Sequence, residues 1–148
     1  MKKILMTAIL TSISEVMETM FFLPVEFDRE SLLAGCGMDQ KNHMACQLTF
    51  TGDASGRLIL IAPRPLVSEM AQNFMGEPKE HLTQAHLSGT LTEMLNMVCG
   101  NALSKTRSTI PYELGIPEMI DAQQIPDKDI YTIVETTESK MAVLLKMN

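Results

Sequence analysis

Between Thr83 and Lys105, apolar residues recur at Leu87, Leu91, Leu95, Val98 and Ala102. At about 100° per residue these five fall on one face, so the spacing predicts an amphipathic helix from about Thr83 to Lys105 with that stripe against the core. A second stripe, Met6, Leu10, Ile13, Met17, Met20 and Phe21, predicts a helix from about Ile4 to Phe22. Pro24 should end it, because proline cannot continue the hydrogen-bond ladder. Val25 to Leu33 is compatible with a strand, and residues 35–39 read as a turn or loop. Met44 to Phe50 and Gly56 to Ala62 form a predicted hairpin around residues 51–55, where Gly52 and Asp53 supply turn geometry. Pro63 and Pro65 close its second strand. Leu66 to Met75 reads as a short helix stopped by Gly76 and Pro78. Pro111, Gly115 and Pro117 mark a loop or an edge strand. Ile130 to Thr136 and Lys140 to Met147 read as a last hairpin joined through residues 137–139. The order α-β-β-β-α-α-β-β-β predicts an α+β domain, with two long helices and a short one packed on a mostly antiparallel sheet.

Composition narrows the classes. At 148 residues the chain fits a single domain, 1–148, with a real core. Hydrophobic residues make up 45% and charged residues 20%, as in soluble globular proteins. A net charge of −6 with no basic cluster argues against nucleic acid as a partner. No stretch approaches the roughly 20 apolar residues of a membrane span. The opening Met1-Lys2-Lys3-Ile4-Leu5 is briefly like a signal peptide, but the pattern turns amphipathic before a small-residue cleavage site, so it reads as the start of a helix. Cys36, Cys46 and Cys99 are odd in number and form no C-x-x-C pair. With His43, His81 and His86 they complete no zinc pattern, so they read as buried, reduced thiols of a cytoplasmic protein, and no metal site is expected. His81 and His86 read as solvated residues near a helix start. The thirteen methionines sit mostly at helix-core spacing and read as gap-filling core residues.

The candidate chemistry lies on the polar side of the Thr83–Lys105 helix. Glu93 and Asn96, three apart, are neighbours on the face opposite the apolar stripe. Gly89 and Gly100 fall on that same face, and a glycine inside a helix costs up to about 1 kcal/mol relative to alanine. Two glycines around an acid–amide pair suggest that something must approach this face closely. Glutamates are also common on solvated faces and a glycine near a helix end often serves as a cap, so the pair alone assigns no chemistry. The first helix holds a weak echo, Glu15-Val16-Met17-Glu18, set against Glu93-Met94-Leu95-Asn96.

The hairpin segment Phe50-Thr51-Gly52-Asp53-Ala54-Ser55-Gly56-Arg57-Leu58-Ile59-Leu60, the short helix ending at Met75-Gly76, and Glu93-x-x-Asn96-x-x-x-Gly100-Asn101-Ala102 together resemble the CheX branch of the CheC/CheX/FliY chemotaxis phosphatases. The resemblance runs from about Ile9 to Lys146. It implies an aspartyl-phosphate phosphatase acting on a phosphorylated CheY-type response regulator. By that likeness Glu93 salt-bridges a regulator lysine and Asn96 orients the attacking water, while Gly89, Gly100 and Asn101 belong to the contact surface. Mg²⁺ would sit in the regulator, with no cofactor of the chain's own. Some family members carry two E-x-x-N sites; here Glu18 stands where the first helix would need an asparagine, so one site per chain is expected, with a homodimer formed through the sheets as in the CheX branch. The alternative on the same fold is a module that binds a regulator without catalysis. A metal or redox protein, built on the cysteines and methionines, has little support.

Overall fold

The computed structural model describes residues 2–36, 40–106, 110–126 and 128–148. In chain order the main elements are α1 (Lys2–Met20), β1 (Glu26–Ser31), β2 (His43–Thr51), β3 (Gly56–Pro63), α2 (Arg64–Met75), α3 (Gln84–Lys105), β4 (Glu113–Leu114), β5 (Glu118–Ile120), β6 (Tyr131–Glu135) and β7 (Lys140–Met147). The expected α+β architecture is present. The strands form one sheet in the order β1-β6-β7-β3-β2-β4, with β5 also pairing β2, and every pairing is antiparallel.

The central strands explain why so much of their sequence is apolar. Along β3, Leu58, Leu60 and Ala62 face the helices, while Ile59 and Ile61 face the other way. Strand β7 alternates likewise, with Met141, Val143 and Leu145 toward the helices and Ala142 and Leu144 opposite. Successive side chains point to opposite faces, so a strand covered on both sides reads as a continuous hydrophobic run. The second face is covered in part by Leu33 and Ala122.

The apolar stripe of α3 is buried as expected, and its N-terminus is tied by a reciprocal cap. His86 N donates to Thr83 Oγ1 at 3.2 Å, and Thr83 N donates to His86 Nδ1 at 3.1 Å. His86 is therefore a half-buried capping residue and not the solvated one expected; histidine takes the place that Glu or Gln usually fills in such a box.

Several other expectations need correction. The buried stripe of α1 is Leu5, Ile9, Ser12, Ile13, Val16 and Met17; Met6 and Leu10 are only half-buried and Met20 is exposed. Residues 4–10 are apolar on nearly every side, so two stripes one residue apart overlap there and packing chooses between them. Helix α1 also stops at Met20, four residues before Pro24. Phe22 adopts a left-handed φ of 57°, and Leu23 N donates to Met17 O at 3.0 Å. Pro65 lies inside the first turn of α2 rather than merely closing β3, because the N–H it lacks has no partner there anyway. The segment after Pro111 holds two short strands, β4 and β5, on the free edge of β2. Pro117, with no N–H for a ladder, separates them. Gly115 N donates to Thr49 O at 2.7 Å, and a Cβ at Gly115 would come within 2.5 Å of Thr49 Oγ1, so any larger residue would have to push Thr49 aside. Of the loop expected at residues 35–39, a 3-10 turn is seen over Ala34–Cys36; Gly37, Met38 and Asp39 lie outside the described residues, as does the side chain of Cys36.

Candidate active site on the outer face of α3

Helix α3 packs on both α1 and α2 and leaves one strip to solvent. Leu87, Leu91, Met94, Leu95, Val98, Ala102 and Leu103 are buried beneath it. On the outer strip Glu93 is exposed and Asn96 is half-buried, one turn apart. Neither side chain has a hydrogen-bond or ion-pair partner among the described residues. A carboxylate and a carboxamide thus stand side by side on a rigid support with their bonding capacity unused.

The two glycines differ. A Cβ at Gly89 would meet nothing within 4 Å, so the chain's own packing does not require glycine there. Gly100 is half-buried, and a Cβ there would touch Leu114 Cδ1 at 3.7 Å, an ordinary contact. Gly100 opens onto a cleft walled by Leu103, Pro111, Tyr112 and Leu114.

Asn101 is engaged within the chain. Its Nδ2 donates to Glu15 Oε2 at 3.0 Å, and Lys105 Nζ bonds Glu15 Oε1 at 2.8 Å. Lys105 first and Asn101 second hold the Glu15 carboxyl below its ordinary value of 4.5. The structure therefore brings Glu93, Asn96, Gly89 and Gly100 onto one strip and turns Asn101 toward α1. The tie to Glu15 was missed in the sequence, because nothing local links residues 86 positions apart.

Cys46 and Cys99 carry no reactive thiolate. Cys99 packs beneath α3 and Cys46 lies under it in the sheet, its Sγ 3.8 Å from Leu91 O. Burial pushes both thiols up to about 12. Among the described residues no group of three or more His, Cys, Asp or Glu is placed to hold a metal, and no helix is long and apolar enough to cross a membrane.

Solved structures show where this architecture recurs. The chemotaxis protein CheX of Vibrio vulnificus superposes with a TM-score of 0.77 at 17% identity, covering 97% of this chain and 96% of that one. The CheX of Borrelia burgdorferi, solved as a CheX–CheY–BeF3–Mg²⁺ complex, gives 0.77 at 16% identity, covering 97% of each chain. A CheC-like superfamily protein of Shewanella sp. PV-4 gives 0.76 at 17% identity, covering 100% and 99%. At such identities the likeness establishes the fold. No curated protein sequence matches significantly. The family model described as chemotaxis phosphatase CheX matches residues 44–134, which include the hairpin, α2 and all of α3 with its Glu93–Asn96 strip. That match covers more than half of the 148 residues, and with the shared fold it means that this chain belongs to the CheX family of chemotaxis phosphatases.

Proposed function

We propose that the chain hydrolyses the aspartyl phosphate of a CheY-type response regulator, with Asn96 orienting the attacking water and Glu93 docking to a regulator lysine. One observation carries the reading: Glu93 and Asn96 are adjacent and accessible on the outer strip of α3, and none of the described residues bonds to either side chain. The solved Borrelia complex, in which a CheX is paired with CheY, BeF3 and Mg²⁺, supports the choice of partner. In this reading Mg²⁺ belongs to the regulator and both proteins are cytoplasmic.

The chemistry suits an amide. An aspartyl phosphate is a mixed anhydride, so the P–O bond to the carboxylate breaks readily once water attacks phosphorus in line. Products are the free aspartate and inorganic phosphate. A carboxamide can accept one hydrogen bond from the water and donate another, which fixes the attack angle without acting as a base. Small GTPases use a glutamine for the same task. Positioning and electrostatics then lower the barrier. Glu93, one turn away, fixes register by pairing with a cation that flanks the phosphoryl group. Gly89 leaves room for the regulator's surface to reach the helix.

In this reading each chain has a single site, and the α1 contacts support that. Glu15, the counterpart of Glu93 in the sequence echo, is held by Lys105 and Asn101, and Glu18 is an anion that would repel a phosphoryl group. Two copies joined through their sheets would present two such sites.

The test is phosphate release from CheY-type regulators kept phosphorylated by a small-molecule donor. Wild type should accelerate release and Asn96→Ala should abolish the acceleration while retaining most of the binding and the fold. An Asn96→Ala protein as fast as wild type would refute the mechanism. Tight binding with no acceleration by wild type would leave a non-catalytic regulator-binding module.

A further inference from the structure

Phe22 is the only non-glycine residue with a left-handed backbone among the described residues, at φ 57°. Glycine reaches that conformation freely, whereas a bulky side chain is strained in it. The strain does not serve burial, because Phe22 is 66% exposed. Met20 (38%), Phe74 (42%) and Met75 (39%), at the ends of α1 and α2, are exposed too. The two helix ends are fastened together: Phe21 and Phe74 stack with ring centroids 5.5 Å apart, and Asn73 Nδ2 donates to Phe21 O at 2.7 Å. The buried ring of Phe21 thus anchors the turn, and the left-handed residue after it throws Phe22 outward.

Two routes through the hydrogen bonds locate this patch. Arg64 at the start of α2 bonds Gln84 at the start of α3, and the two helices remain in contact. Phe74 lies ten residues, about 15 Å, further along α2, at the far end of a helix that packs on α3. From the other side, Glu15 of α1 bonds Asn101 and Lys105. Six residues on, about 9 Å, α1 reaches Phe21 and its contact with Phe74. The patch therefore lies where the ends of α1 and α2 meet, and both of these helices pack on α3, which carries Glu93 and Asn96. Exposed acids flank it along the chain: Glu18 lies one turn before Phe22, and Glu77, paired with His81, lies two residues after Met75.

We propose that Phe22, with the exposed Met20, Phe74 and Met75 of the same two helix ends, is an apolar docking knob that seats on the response regulator whose phosphoaspartate Asn96 serves. The inference rests on the phosphatase reading and names a second point of contact for it. Exposed aromatic side chains backed by a rigid base are the usual anchors of protein interfaces. Strain retained at an exposed aromatic residue points to a use outside the fold. The flanking Glu18 and Glu77 call for a regulator surface that is apolar and edged with lysine or arginine.

Steady-state phosphate release over a range of phosphorylated-regulator concentrations tests this, with thermal unfolding and sedimentation in parallel. Phe22→Gly should raise KM at least about fivefold, as loss of an interface anchor does, with kcat nearly retained. Its melting temperature should hold or rise, because glycine relieves the left-handed turn. Phe22→Lys should weaken docking more than Phe22→Glu. Asn96→Ala should show the reverse pattern, with kcat lost. If wild type is active, Asn96→Ala is dead and Phe22→Gly leaves KM unchanged, the knob is overturned while the phosphatase reading stands. A dimer that Phe22→Gly splits into monomers at unchanged KM would overturn it too, by giving the patch to a second copy of the chain. No acceleration by wild type with any regulator would sink the phosphatase reading and this proposal together.

Discussion

Gly89 offers a perturbation whose two consequences have opposite signs. It lies in the second turn of α3, where glycine costs backbone entropy and exposes the helix to water. A methyl group there meets nothing within 4 Å. Gly89→Ala should therefore stabilise the free protein by about 0.8–1 kcal/mol, the helix-interior difference between the two residues. An unfolding entropy of about 2.1 cal/mol/K per residue gives about 0.3 kcal/mol/K for a chain of 148 residues, so the melting temperature should rise by about 3 °C. Docking should suffer if the regulator closes on this strip. Gly89→Leu projects a larger side chain four residues, about 6 Å along the axis, from Glu93. A loss of roughly tenfold or more in kcat/KM, about 1.4 kcal/mol, is expected for it, with a smaller loss for alanine. Differential scanning fluorimetry and phosphate release on the same preparations decide the matter. A lower melting temperature for Gly89→Ala would contradict the open space found beside that residue. A stabilised Gly89→Leu protein with undiminished kcat/KM would refute the view that a partner reaches this face.

The remaining expectations concern the support beneath the site. Thr83→Ala removes the acceptor for the His86 N–H and should lower stability by about 1 kcal/mol, or roughly 3 °C, with catalysis at 25 °C unchanged. Burial raises Cys46 and Cys99 from 9.0 to about 12. Between those values the unfolded chain has lost protons that the folded one keeps, so their contribution is intact below 9.0 and falls away as pH climbs toward 12. Cys46→Ala with Cys99→Ala, in a Cys36→Ser background, should flatten the alkaline fall in melting temperature; an equally steep fall would show that other groups cause it.

How much could be read in the sequence depended on how local the cause was. The stripe at Leu87, Leu91, Leu95, Val98 and Ala102 is fixed by helix geometry alone, and all five are buried. The hairpin of β2 and β3 was legible because its turn residues and strand lengths are local too. The stripe of α1 was misplaced because residues 4–10 are apolar around the whole helix, so only contact with the sheet and α3 selects Leu5 and Ile9. The end of α1 was misread for a related reason. Proline forbids continuation, but the left-handed turn at Phe22 acts earlier, and no sequence rule puts phenylalanine where glycine belongs. At the site, Glu93 and Asn96 were visible as a spacing on one face. Asn101 was not readable in the same way, since its partner Glu15 comes from another helix.

The contrast between Glu15 and Glu93 bears on why one helix and not the other would meet a partner. In sequence the two acids occupy similar places on two amphipathic helices. In the fold, Glu15 accepts charge-assisted hydrogen bonds from Lys105 and from Asn101, and its carboxyl is held below 4.5 by them. A partner lysine approaching Glu15 would have to displace Lys105 first, gaining one ion pair at the loss of another. Glu93 bonds to none of the described residues, so an incoming cation meets a carboxylate with nothing to give up but water. Exposed pairs contribute little to stability, and the Glu15–Lys105 pair need not be strong to have this effect. It is enough that the exchange at Glu15 is close to neutral while the encounter at Glu93 is favourable. A preference for α3 would then arise from what each acid is already doing in the folded chain, before the difference between Glu18 and Asn96 enters.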